Sequence, residues 1–333
     1  MWSDFGIFVL VDEPGYDNRL TLQKLEVFCL VVELGSMSRA AERLFVAQPV
    51  VTGHVQSLQK RLGVELFYRS GRRLRLTDAG ERVFEWARET LARTRALTRE
   101  LGGLADGEGG GIVVAASTTL GSYVLPEILS RFRERYRGAQ ISLSVLDPER
   151  TVDVVESSEC DFAVVATGTP PQSRVLSSER IGADRIVLVA SPDFMPGVES
   201  ISLEDLSDMP LVSLPTSGIR RRVTDNELER HGVRLRNIVM ELGHPESMKR
   251  AAARGLGMTL LFRSAARSEL QSGALREVEI VGSELVVPIV TVTRSDKRLS
   301  PVQQRLAEAV KRELPTLDAS LAGAESDASA LGS

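Results

Sequence analysis

The sequence predicts a multi-domain α/β chain, with an N-terminal winged helix-turn-helix and a long linker helix ahead of an α/β body. Three observations predict it. Ser36 to Leu62 reads as two short amphipathic helices across a tight turn, two short apolar runs around a basic tip follow it, and from Ile112 onward strands alternate with helices. The chain has 333 residues, enough for two or three domains, and its 43% apolar and 26% charged content is that of an ordinary soluble globular protein.

Residues 1–19 fit no periodic pattern, and Pro14-Gly15 and Asp17-Asn18 are turn signals, so this stretch is expected to be a disordered extension or an over-long gene start. A winged helix-turn-helix is expected over 20–77. It opens with a helix from Thr21, on which Leu22, Leu25, Phe28, Cys29 and Val32 form one stripe ended by Gly35. The helix-turn-helix itself falls at about 37–56. Its first helix carries Ala41, Leu44 and Phe45, and its second carries Val51, Val55, Leu58 and Leu62 on one face. Pro49 stands in the first turn of the second helix, where a missing N–H costs nothing. The outer face, with Val50, Thr52, Gly53, His54 and Ser57, is small or polar and nearly free of charge. A face this bare suits the major groove of duplex DNA better than it suits water.

Two short runs around Ser70-Gly71-Arg72-Arg73 read as a β-hairpin wing, on which Arg69, Arg72, Arg73 and Arg75 cluster for contact with phosphates or the minor groove. Thr77 then caps a helix over 78–101, with Asp78 and Glu81 in its first turn. Its stripe of Val83, Trp86/Ala87, Thr90/Leu91, Thr94, Leu97 and Leu101 is expected to dimerise the chain, since two-fold DNA sites need dimers. Residues 102–111, rich in Gly, are expected to form a hinge.

The body is expected over 112–314, with parallel sheets covered by helices. The pattern predicts strands at 112–116, 141–146, 162–166, 186–190, 211–214, 238–242, 277–280 and 286–293. It predicts helices at 122–136, 150–158, 218–230, 245–254 and 301–314, with an apolar run at 258–262. Residues 315–333 read as a disordered tail.

Charge and cysteine usage limit the function classes. The net charge of −4 hides an asymmetry, because residues 20–101 hold 14 Lys and Arg against nine acids. A basic module on an acidic body is the footprint of a nucleic-acid binder with a second task. Cys29 and Cys160 lie far apart in apolar runs and read as buried thiols, and three scattered histidines argue against a metal cluster. No apolar run is long enough to span a bilayer, and neither a signal peptide nor a membrane partner is expected.

Several of these residues recur in a known family pattern. They are Leu25, Phe28, Gly35-Ser36, Arg39-Ala40-Ala41-Glu42-Arg43-Leu44, Gln48-Pro49, Leu58, Leu62-Gly63-Val64, Leu66-Phe67, Arg69 and Leu76-Thr77-Asp78-Ala79-Gly80. Together they resemble the N-terminal domain of LysR-type transcriptional regulators. More loosely, Tyr123-Val124-Leu125-Pro126, Phe132, Asp161, Ser217-Gly218 and Gly255-Leu256-Gly257 resemble that family's effector-binding domain. The resemblance implies a two-lobed body like a periplasmic binding protein, its second lobe at about 185–262, with a small-molecule inducer in the cleft. It also implies a cytoplasmic homo-oligomer, a dimer or tetramer, that binds and bends promoter DNA and can meet RNA polymerase. Two positions depart from the pattern. Gly53 stands where the family often has Arg, Lys or His, and Ala47 replaces a hydroxyl often found before Gln48.

The expected DNA-binding residues are Ser36, Ser38, Arg39, Gln48, Pro49, Val50, Thr52, Gly53, His54, Arg69, Arg72 and Arg73. Those expected at the dimer contact are Val83, Trp86, Leu91 and Leu97. Ligands of open α/β sheets bind at the carboxyl ends of strands, which selects Ser117, Thr118, Thr119, Thr167, Thr216, Ser217 and Gly218 for the effector. Hydroxyls beside a helix N-terminus suit a carboxylate or another anion. Arg220, Arg221, Arg222 and His244 rank below them as cleft residues. The effector is the only small molecule expected, with no cofactor, metal or catalytic residue. Two other readings are an architectural DNA protein whose α/β part only oligomerises, and an α/β enzyme fused to a DNA-binding module. The enzyme reading lacks a dinucleotide fingerprint, a P-loop, a metal-spaced cluster and a Gly-x-Ser-x-Gly turn.

Overall fold

A computed structural model describes residues 20–71, 73–104, 109–169, 171, 173–216 and 219–314. The expected extension at 1–19 and tail at 315–333 lie outside the described residues, as do Arg72, Ser217 and Gly218. The chain divides into two compact units, Met1–Arg95 and Ala96–Ser333.

In the first unit, helix α1 (Leu22–Leu34) starts at Thr21, whose hydroxyl accepts from the Lys24 N–H, and stops at Gly35 in the left-handed conformation. Helices α2 (Met37–Leu44) and α3 (Gln48–Leu62) form the helix-turn-helix. Val51, Val55 and Leu58 of α3 are buried, and Leu25, Phe28, Leu58, Leu66, Ala87 and Leu91 share one core cluster. Phe28 lies at its centre, edge-on to Phe67 at 5.4 Å and to Phe84 at 6.4 Å.

The wing pairs β1 (Phe67–Ser70) with β2 (Arg73–Leu76), so Ser70 and Arg73, expected in the tip, pair with each other as strand residues. Helix α4 (Asp78–Leu104) is joined tightly to it. The Thr77 hydroxyl donates to the Glu65 carbonyl at 2.6 Å and accepts from the Gly80 N–H at 2.9 Å. A Cβ on Gly80 would lie 2.1 Å from the Leu66 carbonyl oxygen, so that position admits only glycine.

The dimer stripe and the hinge both need correction. Leu91 is buried and Val83 packs beside it in the domain's own core, which leaves Trp86 (42% exposed) and Leu97 (54% exposed) outward. The helix runs through Gly102 and Gly103 to Leu104, and a strand opens at Gly110, so residues 102–104 and 110–111 are no hinge. Residues 105–108 lie outside the described residues.

The second unit is organised by one sheet of eight strands. Strand β3 (Gly110–Ser117) lies parallel to both β4 (Ala139–Leu146) and β5 (Phe162–Ala166). Two long strands, β6 (Leu176–Ala190) and β12 (Leu285–Arg294), then run antiparallel to each other, and β12 also pairs antiparallel with β5. The far edge of β6 carries β10 (Thr259–Phe262), while β11 (Arg276–Val281) continues beyond β12 and pairs with β7 (Ser200–Ser202). A smaller pair, β8 (Leu211–Ser213) and β9 (Ile238–Glu241), joins through a bridge from Leu211 to Met258.

The expectation of wholly parallel sheets is therefore corrected: β6 and β12 cross the body twice as an antiparallel pair and carry the chain between lobes. The register slips between Ile289 and Val290, a bulge that bends the pair where β5 joins it. The second lobe also extends past residue 262, because β11 pairs with the end of β6. The first half of β6 was not legible as a strand, since Leu176-Ser177-Ser178-Glu179-Arg180 is mostly polar and exposed. Helices are α5 (Leu125–Arg135), α6 (Pro148–Glu156), α7 (Leu203–Leu206), α8 (Ile219–Arg230), α9 (Pro245–Ala253), α10 (Arg263–Ser272) and α11 (Pro301–Glu313). Helix α10 had no expected counterpart, because it buries only Ser264, Ala265 and Ala266, too small a face to register as a stripe.

Candidate functional site: a helix-turn-helix face and an interlobe cavity

The exposure of the residues expected to meet DNA follows from how α2 and α3 are held. Ser36 caps α2, accepting from the Arg39 N–H at 3.3 Å. The Arg39 guanidinium donates to the Leu34 carbonyl, which ties the α1 end to the start of α2. Ala47 offers α3 no side-chain cap. In its place the Ser38 hydroxyl donates to Gln48 Oε1 at 2.9 Å, linking the first turns of the two helices and orienting the Gln48 amide. With Val51, Val55 and Leu58 turned inward, Gln48, Pro49, Val50 and Gly53 are exposed, and Thr52 and His54 are half-buried.

Ser57 does not belong to this outer face. It accepts from the buried Lys24 ammonium at 2.7 Å, which anchors α3 on α1. Phe45 and Leu44 are likewise not core. Phe45 ends α2 in the left-handed conformation (φ +56°) and is 92% exposed.

The wing register separates the basic residues. Arg69 pairs with Leu74 on the face that holds Phe67 and Leu76, whereas Arg73 and Arg75 share the other face with Tyr68. Tyr68 is exposed, and the sequence reading missed it because it looked like one more apolar position of the strand.

In the second unit, Ser117, Thr118 and Thr119 line a cavity of about 60 Å³ between the lobes. The first lobe adds Pro148 and Ala166, and the second supplies Leu214, Val223, Thr224, Pro245, Met248, Leu260, Leu261, Phe262 and Ala265. The Ser117 hydroxyl accepts from the Ala166 N–H at 3.2 Å, tying β3 to β5 at the cavity edge. The chain turns helical from Thr118 and makes one turn of π-helix at Leu120–Val124 before α5. Such turns recur at functional sites. Gly121 lets this turn press on the sheet, since a Cβ there would meet Val145 at 2.8 Å.

Two expected effector residues lie elsewhere. The Thr167 hydroxyl donates to the Thr169 carbonyl at 2.8 Å and lines a separate depression beside α6. The Thr216 hydroxyl donates to Glu241 Oε1 at 2.6 Å and accepts from Arg221 at 3.1 Å. Arg221 is buried against Asp225 at 3.0 Å, Arg222 pairs with Glu149 at 3.2 Å, and His244 caps α9. The residues of the second lobe escaped sequence reading, because an apolar run such as 258–262 does not say which of its side chains faces a cleft.

Beside the cavity the lobes are joined by a polar latch. The Tyr123 hydroxyl donates to Glu246 Oε1 at 2.8 Å. Lys249, only 5% exposed, pairs with Glu246 at 2.7 Å and Glu269 at 2.9 Å and lies 4.8 Å from the Tyr123 ring centre. Burial pushes the Tyr123 phenol above its ordinary value, helped by Glu246. Burial would also raise the Glu246 carboxyl, but hydrogen bonds from Lys249 and Tyr123 outweigh it and hold the group below the usual value.

Burial likewise pushes both the Cys29 and Cys160 thiols up to about 12, far from the reactive thiolate form. Among the described residues, no group of three or more His, Cys, Asp and Glu is placed to hold a metal, and no helix is long and apolar enough to cross a membrane.

A helix-turn-helix with an exposed second helix, a basic wing and a two-lobed body enclosing a small cavity defines a ligand-responsive DNA-binding protein. Comparison with known proteins agrees. Residues 22–81 match the bacterial regulatory helix-turn-helix of the lysR family, and residues 105–315 match the LysR substrate binding domain. A probable RuBisCO transcriptional regulator of Trichormus variabilis is 34% identical over 272 residues, 80% of each chain. The crystal structure of CbnR, a LysR family transcriptional regulator, superimposes with a TM-score of 0.66 at 24% identity, covering 89% of this chain and 99% of that one. Full-length CbnR in complex with its target DNA gives a TM-score of 0.65 at 23% identity, over 88% and 100%. The chain belongs to the LysR family of transcriptional regulators. It is a DNA-binding regulator with an effector-binding domain and not an enzyme.

Proposed function

We propose that α3 enters the major groove of promoter DNA and reads bases with Gln48, Val50, Thr52 and His54. In this reading Arg69, Arg72, Arg73 and Tyr68 of the wing grip the backbone, and Ser36, Ser38 and Arg39 position the helix pair. Gly53, whose Cβ would meet nothing within 4 Å, has no internal packing reason to be glycine, so its role is close approach of the backbone to DNA. Trp86 and Leu97, eleven residues apart on one face of α4 and exposed, form the contact to a second copy. The regulator works in the cytoplasm as a homo-oligomer in reach of RNA polymerase.

The effector occupies the interlobe cavity, where it touches Ser117, Thr118 and Thr119 from one lobe and Thr224 and Leu260 from the other. The observation that carries this reading is that cavity, because a ligand touching both lobes shifts their closure by its differential affinity for the two states. The DNA side is tested by replacing Arg72 and Arg73 with Ala. Affinity should fall alike for operator and unrelated duplex, and the slope of log K against log salt should flatten by roughly 0.9 per lost phosphate contact. Loss confined to the operator would contradict the backbone role.

A further inference from the structure

We propose that the cavity takes a small monocarboxylate with an apolar body and rejects phosphorylated acids. The proposal rests on the reading of this cavity as the effector site. Its described lining carries four hydroxyls and otherwise only apolar side chains, with no charged group among them. Ser117, Thr118 and Thr119 come from the first lobe, and the second adds Thr224 together with apolar side chains that include Met248, Leu260 and Phe262.

The polar end is built for a single anionic head. Thr119 is 9% exposed, lines the cavity, and its hydroxyl has no hydrogen-bond partner among the described residues. It stands in the first turn of the helix that begins at Thr118, where backbone N–H groups have no carbonyl four residues earlier in the helix to meet. Ser117 receives the Ala166 N–H but keeps its own proton to donate. Together these groups supply donors enough for one carboxylate.

A phosphate would bring a second charge into the same space, and uncompensated buried charge is costly. Four of the cations on the helices that contribute Thr224 and Met248 are already paired. Arg221 pairs with Asp225, Arg222 with Glu149, Arg230 with Glu227 at 2.8 Å, and Lys249 with both Glu246 and Glu269. Recruiting any of them would break an existing ion pair.

The test uses the full chain, with titration calorimetry and thermal melting against isovalerate, benzoate, glycerate and 3-phosphoglycerate. Isovalerate or benzoate should bind and raise the melting temperature. Glycerate should bind at least tenfold more weakly, and 3-phosphoglycerate should not compete. Thr119→Val should weaken the bound acid at least tenfold, and Thr119→Ser, which keeps the hydroxyl, should restore it. Tighter binding of 3-phosphoglycerate, lost in Thr119→Val, would overturn the ligand class while supporting the cleft. Absence of binding by all four acids would also overturn the class. Monocarboxylate binding that ignores Thr119→Val would overturn the cleft assignment itself.

Discussion

In the N-terminal domain, the residues proposed to recognise DNA are those its core leaves outside. Val51, Val55 and Leu58 turn inward, so Gln48, Pro49, Val50 and Gly53 face solvent with little else to hold them than the Ser38–Gln48 hydrogen bond. In the body the arrangement is reversed. Ser117 and Thr119 are buried, Met248 and Leu261 are buried with them, and the proposed recognition surface is an interior shared by two lobes. A polyanion with regular geometry can be met by an open convex face, because charge and groove shape do much of the work. A small molecule offers so little surface that it must be enclosed to be distinguished.

The contrast can be broken at its strongest point by Phe28→Ala. Phe28 is fully buried against Phe67 and Phe84, and its loss should cost about 3–5 kcal/mol, felt in the N-terminal domain. Hydrogen exchange should show α1, α3 and the wing opening while protection of β6 and β12 is retained. Equal loss in both units would mean that they do not behave as separate bodies.

A smaller effect is expected at the interlobe latch. Glu246→Gln removes a charged acceptor from Tyr123 and Lys249, and should lower the stability of the body by about 1 kcal/mol in this half-exposed setting. Because the native carboxyl is held below its ordinary value, its contribution is full above that value and is lost as pH falls through the depressed one. The difference between wild type and variant, followed by thermal melting, should therefore be present at neutral pH and vanish in acid. A difference that persists in acid would remove the latch from the account.

The smallest change sharpens the DNA side. Gly53→Ala should stabilise α3 by about 1 kcal/mol, since Ala is the better helix former and nothing lies near the added methyl. Operator affinity should nevertheless drop, because the methyl intrudes on the groove. A more stable variant with unchanged affinity would leave Gly53 without a role at DNA.

Much of the DNA-binding domain could be read from residue order. Its stripes have helical period, its caps are local, and the Thr77–Gly80 junction is written within four residues. The wing was legible as a hairpin, but its register was not, because the separation of Arg69 from Arg73 and Arg75 is set by which residues pair across the two strands. In the body, the strand ends at Ser117 and Thr119 were found because a single strand-to-helix junction carries the signal. Thr167 and Thr216 looked equivalent by that rule, yet one hydroxyl is spent on a local turn and the other on Glu241. Met248, Leu260 and Thr224 reach the cavity only because β6 and β12 cross between lobes, a long-range pairing that no local pattern encodes.

The most direct test joins the two regions. Operator affinity of the full chain should be measured by titration with and without saturating isovalerate or benzoate, in wild type and in Ser117→Ala. The account predicts that the acid changes affinity or footprint length in wild type and that Ser117→Ala loses most of that response. A response of equal size in Ser117→Ala would contradict the claim that the interlobe cavity governs how this regulator holds DNA.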